Sequence, residues 1–377
     1  MDVTAKSGSK PPSTPPQRRL FSVLDLDGRA DPATDPKLEG ALVRRIYEAM
    51  LRSRMIDVRL LKLQRQGRIA FHVGAEGEEA AILGSAAALR DQDWIFPCYR
   101  EVSAALYRGL PLQTYIDNMF GNANDVVKGR QMPDHISARE FRFGSITAPI
   151  GTQITQAVGF AWAAKLRRQD IVTATYFGDG ATSSNDFHAG MNFAGVYQLP
   201  TLFLLRNNGW AISVPSDQQT HARTYADKGI GYGIPATRCD GNDALAVYAC
   251  TKQALERAAR GEGPSLLELV TYRQGAHSSN DDPTAYRDAA EHEEQQKGDP
   301  LRRLRRYLER EHAYTEAEHA QAEERLQAEL SACIERAEAA PAPSIASMFE
   351  GVFEDMPGHL AEQQAECVNG PRTRKRH

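Results

Sequence analysis

The sequence has few cysteines and places none of them in a metal-binding or redox motif. Five cysteines occur in 377 residues, and no two of them form the C-x-x-C pair that binds zinc or catalyses disulfide exchange. Because their number is odd and they are scattered, a disulfide framework is not expected. A reduced, cytoplasmic compartment fits this pattern best.

Long apolar runs and a marked excess of one charge are missing as well. No stretch approaches the roughly 18 consecutive apolar residues that a membrane-spanning helix requires. The 45 Lys and Arg residues nearly balance the 49 Asp and Glu residues. The sequence therefore predicts neither a membrane nor a nucleic acid as a partner.

Composition shifts along the chain suggest three parts. Residues 1–34 are rich in Pro, Ser and Lys, lack the apolar core of a secretory signal and predict a disordered tail. Residues 35–340 predict one α/β domain, and residues 341–377 a C-terminal extension that ends in a basic tail. Helical periodicity predicts helices over 36–67, 78–89 and 300–338.

Between about 147 and 275, short apolar runs alternate with helical segments. This alternation is typical of a parallel sheet that helices cover on both faces. The predicted strands are 171–177, 201–205 and 266–271, and the predicted crossover helix between the first two is 187–196.

Two polar motifs follow the first two of these strands, about 30 positions apart. Gly178-Asp179-Gly180 follows the first, and Asn208 belongs to the Arg-Asn-Asn-Gly that follows the second. Ligands bind at the carboxyl ends of parallel strands, and the glycines allow a phosphate group to approach the backbone. The helix that begins after Ser184 would direct its positive end to the same place.

Asp179 would repel a phosphate unless a cation neutralises it. Carboxylate, amide and carbonyl oxygens are ligands of Mg²⁺, and Asp179, Asn208 and the carbonyl of Trp210 could supply them. The alternatives are a simple turn after a strand and a dinucleotide site. The second is disfavoured because Ser183 stands where the dinucleotide fingerprint has glycine.

Together, the two motifs and their spacing resemble the thiamine diphosphate fingerprint. From about residue 40 to 360 the chain also resembles the α subunits of the first component of 2-oxo acid dehydrogenases, and it leans toward the branched-chain members. The stretches that carry this resemblance are 98–101, 129–133, 206–213, 277–282 and 348–353.

The resemblance implies a thiamine diphosphate-binding fold, in its diphosphate-binding module, with extra N- and C-terminal helices. It implies thiamine diphosphate as the cofactor, with Mg²⁺ on Asp179, Asn208 and Trp210. The implied cofactor-binding residues are Tyr99, Arg100, Ala148, Ile150, Gly178, Asp179, Gly180, Ala181, Arg206, Asn208 and His277. A K⁺ site is implied at Thr147, Pro149, Thr152 and Gln153.

The implied reaction is oxidative decarboxylation of a small branched-chain 2-oxo acid, with transfer of the acyl group to a lipoyl-bearing acyltransferase. His277 would be catalytic, donating a proton or hydrogen bond as the acyl group leaves. Ser278 matches a position that is phosphorylated in regulated members, and Tyr286 and Arg287 would anchor the loop. The other nine histidines are expected to have no catalytic role.

The resemblance also implies a β subunit, because the family takes the glutamate that activates the cofactor from a second chain. The expected assembly is a heterotetramer with cofactors at the interfaces. Alternatives that stay open are a pyruvate or acetoin enzyme, a catalytically silent scaffold and a nicotinamide-binding dehydrogenase. The chain departs from the usual family residues at Cys98, Ala148, Trp210 and Ala276.

Overall fold

The computed structural model describes residues 19–371, which are built around a parallel six-stranded sheet. The strands are β1 (Leu20–Phe21), β2 (Trp94–Phe96), β3 (Thr173–Gly178), β4 (Thr201–Asn207), β5 (Trp210–Ala211), β6 (Val214–Pro215), β7 (Ala236–Asp240) and β8 (Ser265–Val270). The sheet has the order β1-β7-β8-β4-β3-β2, and every neighbouring pair is parallel. Strands β5 and β6 form a separate antiparallel hairpin.

The described residues form α-helices on both faces of this sheet and beyond it. They are α1 (Gly40–Arg65), α2 (Glu79–Ala88), α3 (Val102–Tyr107), α4 (Leu112–Phe120), α5 (Thr152–Leu166), α6 (Asn185–Tyr197), α7 (Ser216–Gln219), α8 (Ala244–Ala259), α9 (Ala289–Gln296), α10 (Pro300–Glu311), α11 (Glu316–Ala339) and α12 (Gly358–Asn369). Alternate residues of β4 enter two different cores. Leu202 and Leu204 pack with α1, α2 and α8, whereas Phe203 and Leu205 pack with α5 and α6. The predicted α/β class, with helices on both faces, is confirmed.

The three predicted strands occur as β3, β4 and β8, and the predicted crossover helix occurs as α6. The helical structure predicted over 300–338 occurs as two helices, α10 and α11. They are separate because Ala313 has a φ of +50° and Thr315 begins a new helix with a capping box to Glu318. The first helix begins at Gly40 rather than at 36, since Lys37 has a φ of +52°.

The ordered domain begins inside the segment predicted as a tail. Residues 1–18 and the basic tail at 372–377 lie outside the described residues. From Leu20 the chain forms the edge strand β1, and the N–H groups of Val23 and Leu24 donate to Oδ2 of Asp243 at 2.7 and 2.6 Å. Asp243 is also the N-cap of α8, so one buried carboxylate joins the N-terminal segment to the sheet.

None of the helices between residues 19 and 371 is both long and apolar enough to cross a membrane.

Candidate active site

A cavity of about 470 Å³ lies at the carboxyl edge of the sheet. Because all six strands are parallel, the segments that follow β2, β3, β4 and β8 meet at this edge. The predicted residues that line the cavity are Tyr99, Arg100, Ala148, Ile150, Gly178, Asp179, Gly180, Ala181, Arg206, Asn208, Trp210 and His277. The structure therefore brings together every residue predicted to bind the diphosphate, the aminopyrimidine or Mg²⁺.

The turn after β3 has little room for side chains on one side and an open space on the other. A Cβ atom at Gly180 would lie 2.7 Å from the Cβ of Ala211, so this position requires glycine. A Cβ atom at Gly178 would meet no atom within 4 Å. The side chain that Gly178 lacks thus leaves space in which a bound group can approach the backbone.

Asp179 is the buried acid of this turn, with 1% of its surface exposed. Burial raises the pKa of its carboxyl to about 6, and Oδ2 accepts a hydrogen bond from Nε2 of Gln219 at 2.7 Å. On the next strand, Oδ1 of Asn208 accepts from the backbone N–H of Trp210 at 3.1 Å. A carboxylate, an amide oxygen and a nearby carbonyl form a set of hard oxygen donors, and this set fits Mg²⁺.

Glu78 was missed by the sequence analysis, although it is the centre of the ionic network below the cavity. Its carboxylate is fully buried; it contacts Nη1 of Arg206 and accepts a hydrogen bond from Nδ2 of Asn208 at 2.9 Å. Burial raises the pKa of Glu78, but Arg206 and Arg100 outweigh burial and hold it below its usual range. The available signal was an acidic pair at the start of an otherwise apolar, Ala-rich helix.

Arg206 has a different immediate environment from the one the resemblance implies. One side of its guanidinium meets Glu78, and Nη2 lies 2.5 Å from Oε1 of Glu101. The side chain lines the cavity while it is paired with two buried carboxylates. It therefore joins β4 to α2 and to the segment after β2, in addition to contributing positive charge to the cavity.

His277 lies in the loop after β8, between two guanidinium groups. Its Nδ1 is 3.2 Å from Nη2 of Arg100 and 3.4 Å from Nη1 of Arg273. Burial and then these two positive charges lower the pKa of the imidazole to about 4, so the ring is neutral at pH 7. Because both arginines donate to Nδ1, the ring carries its proton on Nε2. The Nε2–H group can therefore donate a hydrogen bond to a bound group.

Further contacts hold this loop in place. Asp281 accepts hydrogen bonds from the N–H of His277 at 2.6 Å and from the hydroxyl of Tyr286 at 2.7 Å. Nη1 of Arg287 donates to the carbonyl of Gly275 at 3.1 Å, so both predicted anchors contact the loop. Arg273, which was not predicted, donates to the hydroxyl of Tyr286 at 2.7 Å.

The residues predicted for K⁺ form a small group of oxygens outside the set that lines the cavity. Oγ1 of Thr152 is 2.6 Å from Oγ1 of Thr147 and donates to the carbonyl of Pro149 at 3.1 Å. Gln153 is directed elsewhere, since its Nε2 donates to the carbonyl of Tyr176 at 2.9 Å. Three of the four residues are therefore together, and the fourth contacts β3.

A family model described as "Dehydrogenase E1 component" matches residues 47–346 of the chain. The chain belongs to the dehydrogenase E1 component family. Membership of this family implies dependence on thiamine diphosphate.

Similar proteins include α subunits from animals, plants and bacteria. The chain is 40% identical over 360 residues to the human mitochondrial 2-oxoisovalerate dehydrogenase subunit alpha, covering 95% of this chain and 81% of that protein. It is 40% identical over 354 residues to 2-oxoisovalerate dehydrogenase subunit alpha from Pseudomonas aeruginosa, covering 92% and 86%. The Arabidopsis thaliana mitochondrial alpha 2 subunit is 42% identical over 321 residues, covering 85% and 68%. A dehydrogenase E1 α subunit works with a β subunit as part of a larger complex.

Proposed function

We propose that this chain is the α subunit of 3-methyl-2-oxobutanoate dehydrogenase, also called 2-oxoisovalerate dehydrogenase. It oxidatively decarboxylates branched-chain 2-oxo acids and passes the acyl group to a lipoyl-bearing acyltransferase. The observation that carries the proposal is one cavity in which the Asp179 and Asn208 motifs face an apolar wall. That wall is contributed by Phe71, Val73, Met132, Ile150 and Ile212.

In this proposal Mg²⁺ is held by Asp179, Asn208 and the carbonyl of Trp210, and the diphosphate lies beside Gly178, Gly180 and Ala181. When bound, thiamine diphosphate supplies the electron sink for decarboxylation. Arg100 and Arg206 add positive charge, and Tyr99 lies beside His277, with 6.1 Å between ring centroids. Ala148 and Ile150, which line the cavity, would contact the aminopyrimidine. The oxygens of Thr147, Pro149 and Thr152 would take K⁺, whereas the side chain of Gln153 contacts β3 instead.

His277 is the catalytic residue of the proposal. Its neutral ring is held by Arg100 and Arg273 with Nε2–H free of those contacts. From the edge of the cavity this N–H would donate a hydrogen bond to the acyl oxygen. Because the lowered pKa keeps the ring neutral at pH 7, the proposed role is hydrogen-bond donation rather than transfer of a proton.

The substrate preference can be measured directly. The chain co-purified with its β subunit, supplied with thiamine diphosphate, Mg²⁺ and an artificial electron acceptor, should have a higher kcat/KM for 3-methyl-2-oxobutanoate than for pyruvate. We expect a ratio of about 10 or more, since apolar contacts to extra methyl groups are worth that much. A preference for pyruvate would assign the chain to a pyruvate enzyme, and turnover of neither acid would support a silent scaffold.

The β subunit should be indispensable for turnover. The family places the carboxylate that activates the cofactor on the β chain, so the α chain alone should decarboxylate no 2-oxo acid. Adding the β chain should restore activity as a heterotetramer forms, which size-exclusion chromatography and light scattering can follow. Full activity of the α chain alone would contradict this prediction. The cytoplasmic location stays a prediction.

A further inference from the structure

His72 is a buried imidazole between two carboxylates and has no place in the proposed chemistry. Its Nδ1 is 3.2 Å from Oδ1 of Asp134, and its Nε2 is 3.2 Å from Oδ1 of Asp57. The hydroxyl of Tyr115 donates to the same Oδ1 of Asp134 at 2.5 Å. We call Asp57, His72, Tyr115 and Asp134 the His72 network.

The His72 imidazole is protonated at neutral pH. Burial lowers the pKa of the His72 imidazole, but Asp134 and Asp57 outweigh burial and raise it to about 10. Exposed fractions of 3% for His72 and 1% for Asp134 leave little contact with water. An ion pair buried in this way contributes less net stability than apolar residues of the same volume often would. Its value is the fixed geometry that hydrogen-bonded charges impose.

The network joins segments that are far apart in the sequence. Oδ2 of Asp134 accepts from the N–H of Val73 at 2.7 Å, and Oδ2 of Asp57, on α1, accepts from the N–H of Ala75 at 2.7 Å. Tyr115 lies on α4. The segment around His72 is thus held against α1 by Asp57, whose side chain is 13% exposed, and against α4 and the turn at Asp134 by the buried side chains of Tyr115 and Asp134.

The sequence neighbours of the network are the residues that form part of the cavity wall. Phe71 and Val73 flank His72, and Met132 and His135 lie within two residues of Asp134. All four line the cavity, whereas His72 and Asp134 pair with each other behind it. The network therefore sets the separation between two parts of the same wall.

The network also reaches the loop that carries His277. The N–H of Ser279 donates to the carbonyl of His72 at 2.9 Å, and the Oγ of Ser279 accepts from the N–H of His72 at 3.2 Å. Ser279 is two residues from His277. A shift of the His72 backbone would therefore move the wall and the catalytic loop together.

We propose that the His72 network positions the apolar wall and the His277 loop, and thereby determines which 2-oxo acid side chains the enzyme accepts. The four residues are positioning residues, because they act through Phe71, Val73, Met132 and His277 rather than by touching substrate. The inference rests on the proposed function, since it concerns the selectivity of that same site.

Three variants of the α chain, each purified as the complex with the β subunit, test the inference. Tyr115→Phe removes one hydroxyl and leaves the charges. The double variant His72→Gln with Asp134→Asn removes both charges of the central pair and keeps the approximate shape. The matched control is His319→Gln, since His319 bonds the hydroxyl of Tyr47 at 3.1 Å and lines no part of the cavity.

The main readout is the ratio of kcat/KM for 3-methyl-2-oxobutanoate to kcat/KM for the smaller, linear 2-oxobutanoate. We expect the double variant to lower this ratio about 10-fold and Tyr115→Phe to lower it about 3-fold, because small displacements of a wall change apolar discrimination by such factors. His319→Gln should leave the ratio unchanged. In the His319→Gln control, thiamine diphosphate affinity, followed by tryptophan fluorescence, should stay within about 2-fold of the wild-type value, since His319 lines no part of the cavity.

Hydrogen exchange supplies a readout that does not depend on turnover. Backbone amides at 71–75 and 277–281 should exchange faster in the double variant than in the wild type. Their exchange rates should be unchanged in His319→Gln. If the wild type prefers the branched acid and both network variants keep the wild-type ratio, the inference is overturned while the proposed function stands. If the wild type turns over neither acid, the proposed function fails, and faster exchange at 277–281 in the double variant would still establish the positioning contact.

Discussion

Replacing Asp179 by alanine lowers the Mg²⁺-dependent affinity for thiamine diphosphate by at least about 100-fold, because the one carboxylate among the proposed metal donors is lost. Asn208 and the carbonyl of Trp210 are neutral donors, and neutral donors alone hold Mg²⁺ weakly. The cost is expected in cofactor affinity rather than in the fold, since Asp179 has its main polar contact with Gln219.

The affinity can be measured by titrating the purified complex with thiamine diphosphate at fixed Mg²⁺ and following tryptophan fluorescence. Trp210 lies beside the site and packs against Tyr286, with 5.3 Å between ring centroids. The control is Asp217→Ala, because Asp217 is an exposed carboxylate on the nearby helix α7. An affinity of the Asp179 variant equal to that of the control would contradict the Mg²⁺ assignment.

The residues of the site that the strand pattern alone predicts are those whose role is local, whereas Arg100, Arg206 and His277 were predicted only from the family resemblance. Gly178, Asp179, Gly180 and Asn208 end two apolar strands, and parallel strands place such ends at one edge regardless of the rest of the fold. The neutral state of His277 could not be predicted in this way. It depends on Arg100 and Arg273, and Arg100 is 177 positions away in the chain.

Glu78 and the apolar wall illustrate the same limit. A glutamate at the start of an Ala-rich helix is typical of a charge that stabilises the helix N-terminus, so its position indicates no other role. Its contact with Arg206 spans 128 positions and arises only when α2 packs below β4. Phe71 and Met132 lie in segments without regular periodicity, so only tertiary structure shows that both face the cavity.

The same reasoning explains which strands and helices could be predicted from the sequence. Strands β3, β4 and β8 are central and apolar, so composition alone predicts them. Strand β2 has three residues, and β7 contains Arg238 and Asp240, so neither shows the pattern of a buried strand. The break between α10 and α11 depends on the positive φ of Ala313. Alanine rarely adopts this conformation, so the sequence does not predict it.

Replacing Glu78 by glutamine should destabilise the assembled enzyme as well as weaken cofactor binding. The substitution breaks the buried ion pair of Glu78 with Arg206 and removes the carboxylate near Arg100, which leaves Arg206 with Glu101 as its one remaining acidic partner. Breaking a buried ion pair by removing one partner costs about 3 to 5 kcal/mol. In differential scanning calorimetry of the complex we expect the Tm to fall by about 5 °C or more. Glu76→Gln is the matched control, because it makes the same change two residues away at a partly exposed side chain and should shift the Tm by little.

A double-mutant cycle separates the ion pair from a general effect of altering the core. If Glu78 and Arg206 stabilise the protein through each other, Arg206→Gln alone should also lower the Tm, and combining it with Glu78→Gln should add little further loss. The second substitution removes the unpaired charge that the first one leaves, although Glu101 then loses its contact with Nη2 of Arg206. Losses that simply add would show that the two side chains act independently. Cofactor affinity should not recover in the double variant, because the cavity then has one guanidinium fewer for the diphosphate. A Tm that falls little further while the affinity stays low would distinguish the contribution of Arg206 to folding from its contribution to binding.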